Sequence, residues 1–272
     1  MADLRTQTNG TVIERFKRFF PTWLKHYVKM QLHRGSHIVC PICQFESNGF
    51  EIVGIDVPVL REKQVIGGGA RSAGCYKCDS DDRERLLYVY LRDKLEVFDQ
   101  RDFKILHIAP ELNLAKKLRG ARFQEYICGD LLQDGYQYPR FVKSLDVTNL
   151  PFDDDTFDLV ICCHVLEHIL DDGRAMKEIA RVLTDDGKAI LQVPISENSE
   201  HTIEDFSVTD PKERTELFGQ PDHVRIYGQD YAGRLKANGL SMTRVNISGE
   251  YPTFGLNPKE DLFVCELATI DA

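Results

Sequence analysis

The chain has 272 residues, and because a typical domain has about 100 to 200, we expect one medium-sized domain with a smaller module. Hydrophobic residues make up 42% of the chain and charged residues 28%, which excludes a wholly disordered protein. The 43 Asp and Glu residues outnumber the 34 Lys and Arg residues, so the net charge is -9. The overall field therefore repels nucleic-acid phosphates and acidic membranes, which argues against general nucleic-acid binding.

The sequence predicts a cytoplasmic protein. It contains no apolar stretch near the ~20 residues that a membrane-spanning helix needs. Its start, MADLRTQTNG, lacks the apolar core of a signal peptide. In the reducing cytosol, the eight cysteines are expected to be metal ligands or free thiols rather than disulfides.

An amphipathic pattern marks the N-terminal segment, residues 1–36. Within residues 12–32, apolar side chains recur at steps of three and four, with Lys and Arg between them. The pattern predicts a helix, and Pro21 predicts a kink or a break into two short helices with Pro21 in the first turn of the second. Such a basic amphipathic helix packs on its own domain, docks on a partner or makes peripheral contact with an anionic membrane, and the pattern leaves all three open.

Four cysteines form two C-x-x-C pairs in a predicted module at residues 37–82. Cys40 and Cys43 form the first pair, and Cys75 and Cys78 form the second. Two such pairs provide the four soft ligands that tetrahedral Zn²⁺ requires, so we expect a zinc-ribbon-like module. Because sulfur fills all four positions, the zinc is expected to be structural. A redox C-x-x-C pair and unliganded thiols are the alternatives.

A helical pattern at residues 83–101 is expected to connect this module to the main domain, residues 102–272. In the main domain, short apolar runs alternate with amphipathic stretches. This alternation predicts an α/β fold, a Rossmann-like doubly wound and mostly parallel sheet with helices on both faces. Two later runs, residues 241–248 and 261–269, suit an antiparallel pair of strands.

Polar groups at the ends of the predicted strands indicate a ligand site. The first strand-to-helix turn, residues 106–113, lacks the glycines that let a backbone approach a pyrophosphate, and Glu111 disfavours an anion there. NAD and FAD are therefore disfavoured, and a cationic ligand is favoured. Asp130, about twenty residues further on, has the spacing of an acidic residue that binds ribose hydroxyls. Asp146 offers a second carboxylate, which is suited to accept a hydrogen bond from an adenine amino group. Each carboxylate taken alone also fits a helix cap or a loop residue.

The stretch from Asp146 to Ile195 resembles the class I S-adenosylmethionine-dependent methyltransferases, in particular their type 11 group. The resemblance rests on Leu150-Pro151-Phe152, Phe157-Asp158-Leu159-Val160, Val165-Leu166-Glu167-His168 and the turn from Arg181 to Gly187. It implies S-adenosyl-L-methionine as the cofactor. It also implies cofactor contacts from eight positions, namely His107, Ala109, Glu111, Asp130, Leu131, Asp146, Val147 and His164.

The first motif departs from the family pattern. Where the family usually has an acidic residue followed by Gly-x-Gly-x-Gly, this chain has His107, Ala109, Glu111 and Asn113. The cysteine module, the run LHIAPE and the downstream run DHVRIYG also resemble an uncharacterised bacterial subgroup of these methyltransferases. That second resemblance implies no settled substrate.

Four residues are the candidates for catalysis. His164, Glu167 and His168 follow the fourth strand, where side chains face a substrate pocket, and His223 lies in the polar loop of residues 196–229. His223 is expected to be the general base, because an ordinary imidazole pKa of ~6.5 suits proton removal near neutrality. A surface or capping histidine and a structural Leu-Glu-His turn are the plainer interpretations. The resemblance to ubiquinone-pathway O-methyltransferases adds a divalent cation held by His164, Glu167 and His168.

These observations favour a methyltransferase acting on an O or N nucleophile of a small molecule or glycan precursor, because the acidic surface disfavours a polyanionic acceptor. Two alternatives stay open. One is a zinc-containing RNA methyltransferase that holds RNA with its zinc module and basic N-terminal helix. The other is a non-catalytic binding module whose altered first motif has ended cofactor use.

Overall fold

The structure, a computed structural model, describes residues 21–132 and 137–269. Residues 1–20, which hold the first part of the predicted N-terminal helix, lie outside the described residues. The helices are α1 (Thr22–His33), α2 (Pro58–Glu62), α3 (Asp82–Asp93), α4 (Leu112–Gly120), α5 (Asp172–Val182), α6 (Pro211–Phe218) and α7 (Tyr231–Ala237). Short 3-10 turns occur at Val97–Asp99, Leu166–His168 and Ser248–Glu250.

The strands are numbered in the order of the chain. They are β1 (Arg34–Val39), β2 (Glu46–Ser47), β3 (Glu51–Val53), β4 (Val65–Ile66), β5 (Arg71–Gly74), β6 (Lys104–Ile108), β7 (Glu125–Asp130), β8 (Val142–Ser144), β9 (Phe157–Cys162), β10 (Leu183–Ile190), β11 (Ile195–Ser196), β12 (Ile203–Glu204), β13 (Arg225–Ile226), β14 (Leu240–Val245) and β15 (Leu262–Leu267).

Seven strands form the central sheet, in the order β14-β15-β10-β9-β6-β7-β8. Five of these strands, β10, β9, β6, β7 and β8, are parallel to one another. β15 is antiparallel to both β10 and β14. The order of the strands reverses between β6 and β9, which is the switch point where doubly wound sheets bind ligands. The predicted α/β fold and its closing antiparallel pair are therefore confirmed.

Helices cover both faces of the sheet because its central strands are apolar on both sides. In β9, Val160 belongs to the same buried cluster as α5, whereas Leu159 and Ile161 belong to the cluster that contains α3. The sequence predicted α3 as part of a connecting helix. In the structure α3 is a covering helix, since nine of its residues, Leu87 and Leu91 among them, are buried.

The cysteine module packs directly on the sheet domain. β4 pairs antiparallel with β11, with Ile66 opposite Ile195. The buried guanidinium of Arg85 donates from Nη1 to the Ala73 carbonyl oxygen at 2.7 Å and from Nε to the Phe254 carbonyl oxygen at 2.9 Å. The module and the rest of the chain therefore contact each other across the predicted boundary at residue 82.

α1 rests on the cysteine module. It begins at Thr22, directly after Pro21. His33 stacks on Tyr76 with 3.9 Å between the ring centroids, and the side chain of Met30 packs against the neighbouring core. Trp23 and Leu32 are exposed. Across the described ranges, 21–132 and 137–269, no helix has both the length and the apolarity to cross a bilayer.

The polar segment of residues 196–229 folds back to the carboxyl edge of the sheet. β12 pairs antiparallel with β13 within it. α6 begins where the Asp210 side chain accepts hydrogen bonds from the backbone amides of Lys212 and Glu213. The C-terminal part of the segment, which holds Asp222 and His223, then lies against the turn that follows β9, since Val224 donates its backbone amide to the Glu167 carbonyl at 3.0 Å.

Candidate functional site

A cleft of about 290 Å³ opens at the switch point of the sheet. Residues that follow four neighbouring parallel strands, β6, β7, β8 and β9, supply most of its wall. Its lining residues are Ile108, Ala109, Asp130, Leu131, Tyr138, Leu145, Asp146, Val147, His164, Val165, His168, Ile169 and Asp222. The cleft therefore combines apolar walls with a few polar groups, as small-ligand sites do.

Two carboxylates stand on the β7 and β8 side of this cleft. Asp130 ends β7, and within the described ranges its carboxylate accepts no side-chain hydrogen bond. Asp146 is exposed, and its Oδ1 accepts from the Thr148 amide at 2.8 Å and the Thr148 hydroxyl at 2.7 Å. The Asp146 carboxylate is thus fixed in orientation, whereas that of Asp130 is left to accept bonds from a ligand.

Two residues that line the cleft have left-handed backbone conformations. Ala109, directly after β6, has φ 47°, and His164, shortly after β9, has φ 56°. Neither is glycine, so each position stores strain of about 1 to 3 kcal/mol, which the surrounding structure must offset. The Ala109 amide donates to the Gly129 carbonyl at 2.8 Å, and the His164 amide donates to the Gln192 carbonyl at 2.8 Å. These bonds hold both turns in place at the cleft.

His107 and Glu111, both expected to contact the cofactor, bind each other instead. The His107 ring is fully buried in β6, with Nε2 2.8 Å from Glu111 Oε2 and Nδ1 2.9 Å from the Tyr126 hydroxyl. Neither residue lines the cleft. The other six expected cofactor contacts, Ala109, Asp130, Leu131, Asp146, Val147 and His164, all line it. We therefore leave His107 and Glu111 out of the proposed cofactor set.

The four candidate catalytic residues come together, and two of them, His164 and His168, line the cleft. One ligand-type atom each from Glu167, His168 and His223 lies within 4.8 Å of the other two. The rings of His168 and His223 meet edge to face, with centroids 4.6 Å apart. His164 is next to them, with Nδ1 3.4 Å from Glu167 Oε1. His168 and His223, 55 positions apart in the chain, thus belong to one cluster.

Burial and neighbouring charges set the protonation of this cluster. Burial favours a neutral imidazole and so lowers the pKa of both His164 and His223. Burial also acts against charge on His168, but the Asp222 carboxylate outweighs it and raises the pKa of that imidazole. Burial alone would raise the pKa of Glu167, but the adjacent imidazoles lower it to about 2. Glu167 is therefore an ionised, buried carboxylate at neutral pH.

Arg225 and Tyr227 hold the turn that carries this cluster. The sequence placed both in the polar loop without a role, and the structure buries both completely. Arg225 Nη1 donates to the Leu166 carbonyl at 2.7 Å, and the Tyr227 hydroxyl donates to Asp172 Oδ2 at 2.7 Å. Their function in the site is positional, because they contact the backbone and the neighbouring helix rather than the cleft.

The four cysteines of the two C-x-x-C pairs form a compact cluster, with all four sulfur atoms within 4.8 Å of one another. Sγ of Cys40 is 3.7 Å from Sγ of Cys78, and Sγ of Cys43 is 3.6 Å from Sγ of Cys75. A tetrahedron with Zn–S bonds of about 2.3 Å has edges of about 3.8 Å, so the arrangement fits a zinc ion. The contacts are far too long for S–S bonds, which are about 2.05 Å.

The other cysteines are buried apolar residues. Burial raises the pKa of the Cys128, Cys162 and Cys163 thiols, and it raises that of Cys265 to about 12. Thiols of this kind are neutral and unreactive at neutral pH. In the four-cysteine cluster, by contrast, the directions differ: hydrogen bonds from Cys43, Cys75 and Cys78 lower the pKa of Cys40, and the hydrogen bond with Cys40 raises the pKa of Cys43 and of Cys75.

Sequence reasoning missed one acidic residue behind the cleft. Glu260 is almost wholly buried, and burial raises the pKa of its carboxyl to about 7. Glu260 Oε2 has no hydrogen-bond partner within the described residues. It lines a small cavity together with Arg83 and His164. The residue precedes β15 in an irregular loop, and no local sequence pattern marks it.

Comparison with known families adds to this geometry. Residues 110–191 match the model of a family described as "Methyltransferase domain". An uncharacterised protein of Methanocaldococcus jannaschii is 32% identical over 110 residues, which cover 40% of this chain and 40% of that protein. An uncharacterised methyltransferase of Bacillus subtilis, YcgJ, is 44% identical over 59 residues, 22% of this chain and 23% of that protein. The chain thus spans under half the length of either relative.

The crystal structure of YcgJ from Bacillus subtilis superposes with a TM-score of 0.42 and 20% identity, covering 59% of this chain and 71% of that one. Ten of the thirteen described residues that line the cleft lie within residues 110–191. The segment that matches the methyltransferase-domain model therefore supplies most of the described lining of the cleft.

Proposed function

We propose that the protein is an S-adenosyl-L-methionine-dependent methyltransferase. The observation that carries the proposal is the placement of Asp130 and Asp146 in a cleft at the switch point of a doubly wound sheet, within the segment that matches the methyltransferase domain. Asp130 is suited to accept hydrogen bonds from the ribose hydroxyls, and Asp146 is suited to the adenine end. A cationic sulfonium suits the acidic lining better than a pyrophosphate does.

The acceptor is proposed to be an O or N nucleophile of a small molecule or glycan precursor. Asp130, Asp146 and Asp222 line the cleft, and no Lys or Arg among the described residues does. A polyanion such as RNA would meet repulsion there, in a protein whose net charge is already -9. His164 and His168 also line the cleft and are proposed to face the acceptor.

Methyl transfer asks little of the protein beyond alignment, because the sulfonium carries the methyl group in an activated form. The bound cofactor supplies the electrophilic methyl. The residues of this chain bind the nucleoside, exclude water with the apolar wall of Leu145, Val165 and Ile169, and orient the acceptor. The four-cysteine cluster is proposed to hold a structural Zn²⁺ that maintains the module packed behind the cleft.

Calorimetry with S-adenosylmethionine tests the proposal. We expect a dissociation constant in the micromolar range for the zinc-loaded full-length chain, and we expect S-adenosylhomocysteine to accumulate when cofactor and cell extract are added. Binding without turnover would favour a non-catalytic binding module. Absence of heat with well-folded protein would contradict cofactor use altogether.

A further inference from the structure

We propose that Glu167, His168 and His223 form a second metal site, distinct from the cysteine cluster, that binds a divalent transition-metal ion of the Zn²⁺ class. Their ligand-type atoms lie within 4.8 Å of one another. His168 also lines the cleft, so the site opens towards the position proposed for the acceptor. The proposal rests on the proposed methyltransferase function for its role in catalysis, but the binding of the ion stands on the geometry alone.

Buried polar atoms without partners carry the argument. Glu167 is 1% exposed and His223 is 3% exposed. Glu167 Oε2 and His223 Nε2 have no hydrogen-bond partner within the described residues. Leaving such an atom unpaired costs about 1 to 3 kcal/mol, and more for a charged group. Two unpaired acceptors in one small cluster are explained together if both donate lone pairs to a cation.

In both imidazoles, the Nδ1 atom has the kind of partner that metal-ligating histidines usually have. His223 Nδ1 is 3.2 Å from the Phe218 carbonyl oxygen, so it carries the proton and leaves the lone pair on Nε2. His168 Nδ1 is 3.3 Å from Asp222 Oδ2. A carbonyl or carboxylate on the far nitrogen fixes the tautomer and orientation of a metal-binding ring. Both rings therefore have the support that ligation requires.

The donor set selects the kind of ion. Two imidazoles and one carboxylate suit Zn²⁺ and its neighbours among the first-row divalent metals, whereas Mg²⁺ and Ca²⁺ prefer oxygen ligands. Three protein ligands leave a coordination position open, which is typical of catalytic rather than structural metal sites. His164 is near but outside the three-residue set, so the set differs from the His164, Glu167 and His168 group expected from the sequence.

In the proposed reaction the open position binds a hydroxyl oxygen of the acceptor. The cation favours loss of the hydroxyl proton to solvent. The oxygen then forms a bond to the methyl carbon as the bond from that carbon to sulfur breaks, and the electron pair of the broken bond stays on sulfur, giving neutral S-adenosylhomocysteine. Under this assignment His223 ligates the ion, and it no longer acts as the general base expected from the sequence.

Cobalt titration of the zinc-loaded full-length protein tests the site. The protein is loaded with one equivalent of zinc per chain, which the soft thiolates take up. Only the nitrogen and oxygen site is then left for added Co²⁺, so we expect visible d–d bands without sulfur-to-cobalt charge transfer. His223→Ala and Glu167→Gln are expected to weaken Co²⁺ binding at least tenfold. His201→Ala, whose exposed imidazole lies in the same segment, is the matched control and should bind Co²⁺ like the wild type.

The site is refuted if the wild type shows no new visible bands, or if His223→Ala binds Co²⁺ as tightly as the wild type. If His223→Ala does not fold, the near-isosteric Glu167→Gln and the wild-type titration decide the question. Calorimetry with S-adenosylhomocysteine on the same samples separates the two proposals. Cobalt binding without cofactor binding would contradict the methyltransferase proposal but not the metal site. Cofactor binding without cobalt binding would contradict only the metal site.

Discussion

The buried guanidinium of Arg225 donates from Nη1 to the carbonyl oxygen of Leu166 at 2.7 Å. The same side chain reaches the Ile169 and Leu170 carbonyls and pairs with Glu204. One side chain from the C-terminal part of the domain therefore satisfies three carbonyls of the turn that carries Glu167 and His168. The turn and the segment that contains His223 are consequently fixed relative to each other.

Replacing Arg225 with Met is expected to lower the free energy of unfolding by about 3 kcal/mol or more, because three carbonyl oxygens lose their buried donor. Urea denaturation measures this change. Lys212→Met is the control, since Lys212 is exposed and its ion pair with Glu216 spans 3.9 Å, and it should change stability by no more than about 0.5 kcal/mol. A loss below about 1 kcal/mol for Arg225→Met would contradict the proposed support.

Asp130→Asn is expected to weaken S-adenosylhomocysteine binding about tenfold or more, because a neutral amide replaces a charged acceptor that is worth about 1.5 to 3 kcal/mol. Stability should change little, since the Asp130 carboxylate supports no side-chain hydrogen bond in residues 21–132 and 137–269. Calorimetry measures the affinity. Asp186→Asn removes an exposed carboxylate away from the cleft and should leave the affinity unchanged. Equal affinities for the two variants would remove Asp130 from the proposed site.

Cys75→Ser is expected to abolish zinc retention and to lower the melting temperature of the whole chain, because Cys75 belongs to the buried cluster that also contains Leu86 and Ile105. Zinc content by elemental analysis and melting by calorimetry measure both effects. Cys128→Ala is the matched control: it removes a buried thiol outside the four-cysteine cluster and should retain zinc. Full zinc retention in Cys75→Ser would contradict the four-sulfur site.

Glu260→Gln is expected to gain stability relative to the wild type as the pH rises. The native pKa of Glu260 is about 7, above the ordinary value of 4.5. The native state therefore holds a proton that the unfolded state releases, so the wild type loses stability between pH ~4.5 and ~7. The difference should reach about 3 kcal/mol above pH 7. Urea denaturation of both proteins from pH 4 to 8 measures it, and a pH-independent difference would show that Glu260 ionises normally.

Local patterns were enough to predict the sheet and to place polar residues at the cleft on its carboxyl edge. Alternating apolar runs locate strands, and parallel strands must end at one edge, so Asp130 and Asp146 were assigned to the cleft from their places in the chain. The same reasoning did not predict the orientation of the His107 side chain. A strand buried on both faces gives no alternation that tells which way a side chain points, and the structure turns this ring towards Tyr126 and Glu111.

Contacts between distant segments were beyond prediction. His223 and Glu167 are brought together by the Val224 amide, which donates to the Glu167 carbonyl, and by the contacts of Arg225 and Tyr227. No periodicity in the sequence predicts such a pairing. The packing of α3 on the sheet was missed for a related reason: its apolar face identified a helix but not the surface that the face covers. Glu260 owes its raised pKa to tertiary burial, which a single acidic letter in a loop does not reveal.

A crystal structure with S-adenosylhomocysteine tests the central claim most directly. The account predicts that the ribose hydroxyls bind Asp130, that the adenine lies beside Asp146 and Val147, and that the sulfur points towards His164. A nucleoside found instead in the separate cavity of about 460 Å³ beside Gly67 and Arg61, or a cleft that stays empty at saturating ligand, would contradict it.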